Sequence, residues 1–148
     1  MPFKLRVATE QEVPLNLPTD IDPEQNSYVR VRQATAGDNA ERDADIEGQI
    51  ERVYNPDRAT FSVRTLGSAM RLRAKEAYLT LSGTNLQFED GRPLFAFQRT
   101  GEQMRFAGTF EEFLTRWNLL PQPVADAISR AVYQVNPEWD PNRTFVRS

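Results

Sequence analysis

The apolar positions of the chain alternate with polar ones in some stretches and recur at helical spacing in others. Residues 28–33 alternate between apolar and mostly basic side chains, which is typical of a strand with one face on a core. Residues 61–64 form a shorter run of the same kind. Between residues 66 and 81 the apolar side chains follow one helix face, which predicts a central helix with Gly83 as its stop signal.

A capping pattern precedes an earlier helix. Thr35 offers an N-cap hydroxyl, and Asp38 supplies an acid three residues later. Asp38 also stands one helical turn before Arg42, so we expect an ion pair between these two side chains. Apolar residues between 46 and 54 keep the helical spacing, which predicts that this helix continues until Pro56 ends it.

A tight hairpin turn is predicted at residues 89–92, because Asp90-Gly91 supplies the positive backbone angles that such a turn needs. Its two strands are predicted at 86–88 and 93–97. Residues 104–106 are predicted to add a third strand.

Two helices are predicted near the C-terminal end. Thr109 and Glu112 have the spacing of a capping box, and the aromatic stripe behind them is assigned to the core rather than to an exposed groove. This helix ends before Pro121. Pro123 suits the first turn of the next helix, whose apolar residues keep a helical spacing from 124 to 135.

The ends of the chain are rich in proline. We divide the chain into a Pro-rich extended arm at 1–27, a globular α+β domain at 28–135, and an irregular C-terminal tail at 136–148. The predicted fold is a single domain with a small, mainly antiparallel sheet, a central helix and a C-terminal helix pair.

Composition limits the classes of protein that the chain can represent. Its 148 residues match one domain, and 39% hydrophobic residues suffice for a core. A net charge of −3 makes nucleic acid a poor partner, and the absence of cysteine excludes disulfides and thiolate metal sites. The first seven residues lack the apolar stretch of a signal peptide, and no window reaches the length of a membrane span. We therefore expect a cytoplasmic protein, or part of a particle assembled in the cytoplasm.

The chain contains no histidine, so histidine-based hydrolytic triads and histidine-ligated zinc are excluded. The acids between 38 and 51 are spread around a predicted helix, which favours a solvated face over a metal site. The acidic run at 20–24 lacks the glycine and distal glutamate of a calcium loop. A metal-dependent nuclease pattern starting at Asp57 fails because position 73 is arginine. We therefore predict no catalytic residue, no cofactor and no metal.

Two groups of side chains are candidates for partner contact. The basic group either forms a docking face for an acidic partner or, as we favour, solvates the outer side of the central helix. The aromatic group lies in the tail, where it either anchors a partner or packs back onto the domain. The candidate partner-binding residues are Trp139, Phe145, Arg64, Arg71, Arg73 and Lys75.

The order of several segments resembles small tail-assembly chaperones and related tail-morphogenesis proteins of tailed bacteriophages. The resemblance spans about residues 28 to 139 and lies in the spacing and the general residue pattern of these segments. It is carried by residues 28–38 with Glu41-Arg42, by 76–81, 93–95 and 110–113, and by Trp117, Leu120-Pro121, Val124 and 135–139.

The resemblance implies a non-enzymatic protein that covers apolar surface on a partner during tail assembly. The implied partners are tape-measure or tail-tube subunits, or neighbouring virion subunits, and a homo-oligomer fits as well. The alternative is a structural virion component such as a minor tail, connector or baseplate protein. A carboxylate-based or metal-dependent enzyme is a third, less favoured class. The expected location is the host cytoplasm, or the virion if the protein is structural.

Overall fold

A computed structural model describes residues 2–5, 9–18, 26–65 and 69–142, with only the backbone at 51–53 and 61–65. The described residues form a mixture of short strands and helices, which confirms the predicted α+β class. In chain order the elements are β1 (Glu10–Pro14), β2 (Tyr28–Arg32), α1 (Ala36–Gly48), β3 (Ile50–Asn55), β4 (Thr60–Thr65), α2 (Ala69–Thr80), β5 (Leu81–Thr84), β6 (Phe97–Thr100), β7 (Gln103–Phe106), α3 (Phe110–Trp117), α4 (Gln122–Val135) and a 3₁₀ turn (Pro137–Trp139).

Strand pairing among the described residues is antiparallel throughout. The largest sheet has the order β1-β2-β5, and β3-β4 and β6-β7 form two separate hairpins. A bulge between Arg30 and Val31 shifts the register of β2 against β5. Val29 and Val31 point to the buried face of β2 and are fully enclosed, as the alternation in the sequence predicts.

The first helix is shorter than predicted. Thr35 and Asp38 form the reciprocal capping box, but α1 ends at Gly48 and residues 50–55 form strand β3 instead of two further helical turns. The predicted extension of the helix to Pro56 is therefore wrong. The apolar residues of this short run fit the spacing of a helix and that of a strand equally well. The strand forms because β4 pairs with it, and the spacing of apolar residues within the run cannot reveal a partner elsewhere in the chain.

The central helix also gives way to a strand. It ends at Thr80, and Leu81–Thr84 continue directly as β5. Gly83 lies inside that strand opposite Arg30, where a Cβ atom would touch the Arg30 side chain at 3.5 Å. That distance is ordinary van der Waals contact, so Gly83 is a strand residue and does not terminate a helix.

The predicted turn at 89–92 is present, with Gly91 at a φ of 88°. Its flanks join through the single bridge Gln87 to Pro93, so they do not form the two predicted strands. The strand expected at 104–106 exists as β7, and its partner is β6 across a turn at Gly101, whose φ is 64°.

Segments near both ends of the chain form part of the folded core, contrary to the predicted arm and tail. Strand β1 lies within the predicted arm and forms an edge of the main sheet, and Val13 and Leu15 are buried in the core. The 3₁₀ turn lies within the predicted tail and buries Trp139. The boundaries predicted at 27 and 136 therefore do not separate the ends from the core. Residues 1, 6–8, 19–25 and 143–148 lie outside the described part.

An aromatic cluster fills the space between α2, α3 and the β6-β7 hairpin. Phe113 stacks on Phe95 with ring centroids 4.7 Å apart and meets Phe106 edge-on at 5.2 Å. Tyr78 and Trp117 contact the same ring at 5.7 and 6.1 Å. The stripe behind Thr109 is therefore core, as predicted, and Thr109 accepts a hydrogen bond from the Glu112 amide.

Truncation at the centre of this cluster tests its role in stability. We expect Phe113→Ala to lower the free energy of unfolding by about 3 to 5 kcal/mol, because it removes a fully buried ring and leaves a cavity. Leu119→Ala, at an exposed position just past α3, should change it by less than about 0.5 kcal/mol. Urea unfolding followed by circular dichroism measures both. Equal losses would show that the cluster is not a main source of stability.

Candidate functional site

Several charged side chains are buried at the junction of the sheet and the helices. Arg32 and Glu76 are each 1% exposed, and Asp38 is 3% exposed. Burying a charge is costly unless the charge is paired and hydrogen-bonded. The partners of these three side chains therefore decide how the elements are arranged.

Asp38 connects three parts of the chain. One carboxylate oxygen accepts from the Thr35 amide at 2.9 Å and from Arg32 at 3.2 Å, and the other accepts from Arg105 at 3.3 Å. Its predicted ion pair with Arg42 is wrong. Asp38 lies on the side of α1 that faces β2 and β7, where two arginines from distant parts of the sequence meet it.

Burial lowers the pKa of the Arg32 guanidinium, and the charge of Asp38 partly offsets this effect. Arg32 also donates to the Leu79 carbonyl through Nη2, so it links β2 to α1 and α2. Its Nε has no hydrogen-bond partner in the described structure. The side chain holds three elements together at the expense of one unsatisfied donor.

Glu76, within α2, forms a second buried pair. Its two carboxylate oxygens accept from Arg42 Nε at 2.8 Å and from the Tyr133 hydroxyl at 2.6 Å. Burial raises the pKa of Glu76, and these two hydrogen bonds oppose the rise. Burial and the neighbouring carboxyl also raise the pKa of Tyr133, which therefore keeps its proton at neutral pH. The pair joins α1, α2 and α4 and leaves neither oxygen of Glu76 without a partner.

Asn136 and Trp139 fix the end of α4 to the rest of the domain. The Asn136 amide group accepts from the Ala34 amide at 2.7 Å and donates to the Arg32 carbonyl at 3.0 Å. The Trp139 indole donates to Asn39 at 2.7 Å, and Arg42 lies over its ring at 5.2 Å. Trp139 is 4% exposed and packs back onto the domain, which is one of the two alternatives predicted for it. Phe145 lies outside the described residues.

The basic side chains of α2 do not lie on a solvated outer face. Arg71 pairs with Asp45 at 3.1 Å, Arg73 with Asp126 at 3.3 Å, and Lys75 approaches Glu41 at 3.9 Å. Each of these acids belongs to a neighbouring helix, because α2 packs between α1, α3 and α4. The three cations connect helices within the chain, which neither alternative from the sequence foresaw. The side chain of Arg64 lies outside the described part.

A groove runs between α2, α4 and the segment that follows α4. It consists of two adjoining cavities of about 590 and 360 Å³. Both cavities are lined by Arg73, Tyr133, Asp140 and Pro141. Sequence reasoning missed this groove because its lining residues come from α1, α2, α4 and the segment after α4, which lie far apart in the chain.

Four large hydrophobic side chains are exposed in the described structure. Phe3 is 88% and Leu5 is 77% exposed, in an extended segment that precedes β1. Tyr54, in the β3-β4 hairpin, and Leu119, after α3, are exposed to 53% and 64%. Sequence reasoning did not single out Phe3 and Leu5, and the signal that could have found them is their alternation with Lys4 ahead of the proline-rich stretch.

Among the residues that the structure describes, no three acidic side chains gather in a way that could hold a metal ion. Likewise, no helix in the described ranges is both long and apolar enough to cross a membrane. The comparisons with protein-family models, with curated proteins and with solved structures found no match to this chain.

The raised pKa of Glu76 gives a pH test of the second pair. Its ordinary value is 4.5, so between pH 4.5 and the raised value the folded chain binds more protons than the unfolded chain. Glu76 therefore contributes less to stability as the pH rises through this window. We expect the unfolding free energy of the wild type, minus that of Glu76→Gln, to fall between pH 4 and pH 7.

Glu41→Gln is the matched control, because it makes the same substitution at an exposed position of α1. Denaturant unfolding at several pH values gives both differences. A wild-type advantage over Glu76→Gln that grows with pH would contradict the burial effect.

The role of Asp38 is testable by removing its charge. We expect Asp38→Ala to lower the free energy of unfolding by about 3 to 5 kcal/mol, because it leaves Arg32 buried without its ionic partner and removes the carboxylate half of the α1 capping box. Asp43→Ala, on the same helix at an exposed position, should change stability by less than about 0.5 kcal/mol. Thermal and urea unfolding provide the comparison. Similar losses in both variants would argue against the buried pair.

Proposed function

We propose that this chain is a non-enzymatic, protein-binding assembly factor of a bacteriophage tail, which covers apolar surface on a partner until that partner is built in. The proposal joins the resemblance of the sequence to tail-assembly chaperones with one observation. That observation is the exposure of Phe3 and Leu5 in an extended segment ahead of the first strand.

The N-terminal segment supports a role in contact because of its size and chemistry. Phe3 and Leu5 are almost fully accessible, and burial against a partner would stabilise a complex by about 1.5 to 3 kcal/mol for each side chain. Lys4 between them is also exposed and keeps the segment soluble. An extended segment of this kind can follow the surface of a long helical partner such as a tape-measure protein.

The body of the domain supports the proposal because the buried charged side chains of the described structure find their partners within the chain. Arg32, Asp38 and Glu76 are buried and paired within the chain, and the aromatic side chains around Phe113 form a largely buried cluster. Glu76, the described carboxyl that burial shifts, has both oxygens occupied, which does not favour a role in acid-base chemistry. The remaining means of action is contact through exposed segments.

A structural virion component is the alternative, and the β3-β4 hairpin favours it. In the described structure these strands pair with each other and pack little on other elements, and the turn residues 54–60 are exposed. Unpaired strand edges of this kind are suited to contact with a neighbouring subunit. A permanent particle component has more use for such a projection than a transient chaperone.

Co-expression with the tape-measure protein of the same phage tests the leading proposal. We expect the chain to raise the soluble fraction of the tape-measure protein and to co-purify with it. Phe3→Ser combined with Leu5→Ser should weaken this binding by more than about tenfold, because two large apolar side chains are lost. Lys4→Ser is the control within the same segment and should bind like the wild type.

Mass spectrometry of purified virions distinguishes the two candidates. Absence of the chain from virions is expected for a chaperone, whereas stoichiometric copies would establish the structural alternative. A tape-measure protein that stays insoluble with the chain present, together with absence from virions, would overturn both.

A further inference from the structure

Strand β1 is an outer strand of the three-stranded sheet, and one of its long edges has no strand beside it among the described residues. Its other edge pairs with β2 along the whole strand. A free edge presents backbone donors and acceptors to which a further strand can bind. What this edge can bind depends on the backbone groups that it presents and on the side chains beside them.

The pairing of β1 with β2 determines which backbone groups lie on the free edge. The Leu15 amide donates to the Ser27 carbonyl at 2.9 Å, and the register of β1 continues from this pair. Bonded and non-bonded residues alternate along an antiparallel ladder, so the odd-numbered residues of β1 bond to β2. Glu10 and Glu12 therefore direct their N–H and C=O groups outward.

The side chains of β1 give the free edge two different faces. Glu10 and Glu12 are exposed on one face, where Glu12 keeps 55% of its side chain accessible although it pairs with Arg30 at 3.5 Å. On the other face Val13 is buried in the core, and Gln11 borders a cavity of about 430 Å³ between β1 and the end of α4. A matching strand is basic on the first face and apolar on the second.

The N-terminal segment of this same chain has that pattern. Phe3 and Leu5 alternate with Lys4, and the sequence continues the alternation with Arg6-Val7. Residues 2–5 form no strand in the described structure, and Phe3 and Leu5 are 88% and 77% exposed. The segment therefore does not pair with β1 of its own chain, and its apolar side chains would gain from burial.

We propose that the N-terminal segment of one copy of this chain binds as an antiparallel strand along the β1 edge of a second copy. Lys4 of the segment lies opposite Glu12 of the edge, which forms an opposite-charge pair across the strands. In this register Leu5 lies opposite Gln11, beside the cavity, and Phe3 lies opposite Val13. The added strand continues the antiparallel order of the sheet.

Charge selects this segment over other strands that a second copy could offer. Antiparallel pairing of β1 with β1 about residue 11 or residue 12 would place glutamates of the two copies opposite each other, and like charges in that position are destabilising. The same carboxylates disfavour an acidic peptide or a nucleic acid strand. A basic and apolar segment is what the edge accepts.

The proposal goes beyond the proposed function, although Phe3 and Leu5 serve in both. Self-association would compete with a tape-measure protein for the segment. The β1 edge takes no part in the proposed contact with that protein, so variants of the edge test self-association alone.

Sedimentation equilibrium of the purified full chain measures self-association, over concentrations from about 5 to about 500 μM because interfaces of this small size are weak. We expect the wild type to form dimers or larger species as its concentration rises. Lys4→Glu and Glu12→Lys should each weaken association by about threefold to tenfold, since an opposite-charge pair becomes a like-charge pair. Glu102→Lys, at the exposed turn between β6 and β7, is the control and should associate like the wild type.

Mixing the two charge variants tests contact between copies directly. The segment of Lys4→Glu is complementary in charge to the edge of Glu12→Lys, and the segment of Glu12→Lys is complementary to the edge of Lys4→Glu. An equimolar mixture should therefore associate about as strongly as the wild type. A segment that folded onto the edge of its own chain would gain nothing from mixing.

A proline variant tests the backbone pairing. Glu12→Pro removes an N–H that points away from β2, so the circular dichroism spectrum should stay like that of the wild type. Association should be weaker than in Glu12→Gln, which removes the same charge and keeps the N–H.

Three results would overturn the proposal. The first is a wild type that stays monomeric over the whole concentration range, which is decisive even if a variant fails to fold. The second is a mixture of the charge variants that associates no better than either alone, and the third is equal association of Glu12→Pro and Glu12→Gln. None of these results bears on the solubility of a tape-measure protein, so the two proposals can fail separately.

Discussion

The buried ion pair between Arg32 and Asp38 is the interaction on which the arrangement of the domain depends. Arg32 ends β2 and Asp38 stands in the first turn of α1, so the pair fixes the strand against the helix that follows it. The same two side chains reach Leu79 of α2 and Arg105 of β7. Because an unpaired charge at this depth is costly, the four elements can pack in few other ways.

Glu76 extends this constraint to the C-terminal helices. It lies on the opposite side of α2 from the aromatic cluster and holds Arg42 of α1 and Tyr133 of α4. Asn136 and Trp139 then join the end of α4 to β2 and α1. The exposed side chains of Phe3 and Leu5 lie outside this polar network.

Local signals in the sequence were sufficient for much of the secondary structure. Both capping threonines, Thr35 and Thr109, begin helices where their spacing predicts, and Pro123 stands in the first turn of α4. The sequence pattern did not reveal interactions between residues that are far apart in the chain. The run at 50–55 became a strand because β4 pairs with it, and Trp139 became core because Asn39, a hundred residues earlier, accepts its indole hydrogen bond.

The sequence by itself determined the class of fold, the capped helix starts, the turn at Gly91 and the absence of histidine and cysteine chemistry, since each depends on residue type or on neighbours within one or two turns. Only the tertiary structure decided which charges are buried, that Arg71, Arg73 and Lys75 pair between helices, and where the groove lies. The reason is physical. Periodicity reports which face of an element is apolar, whereas the partner of a buried charge and the lining of a groove depend on segments far apart in the chain.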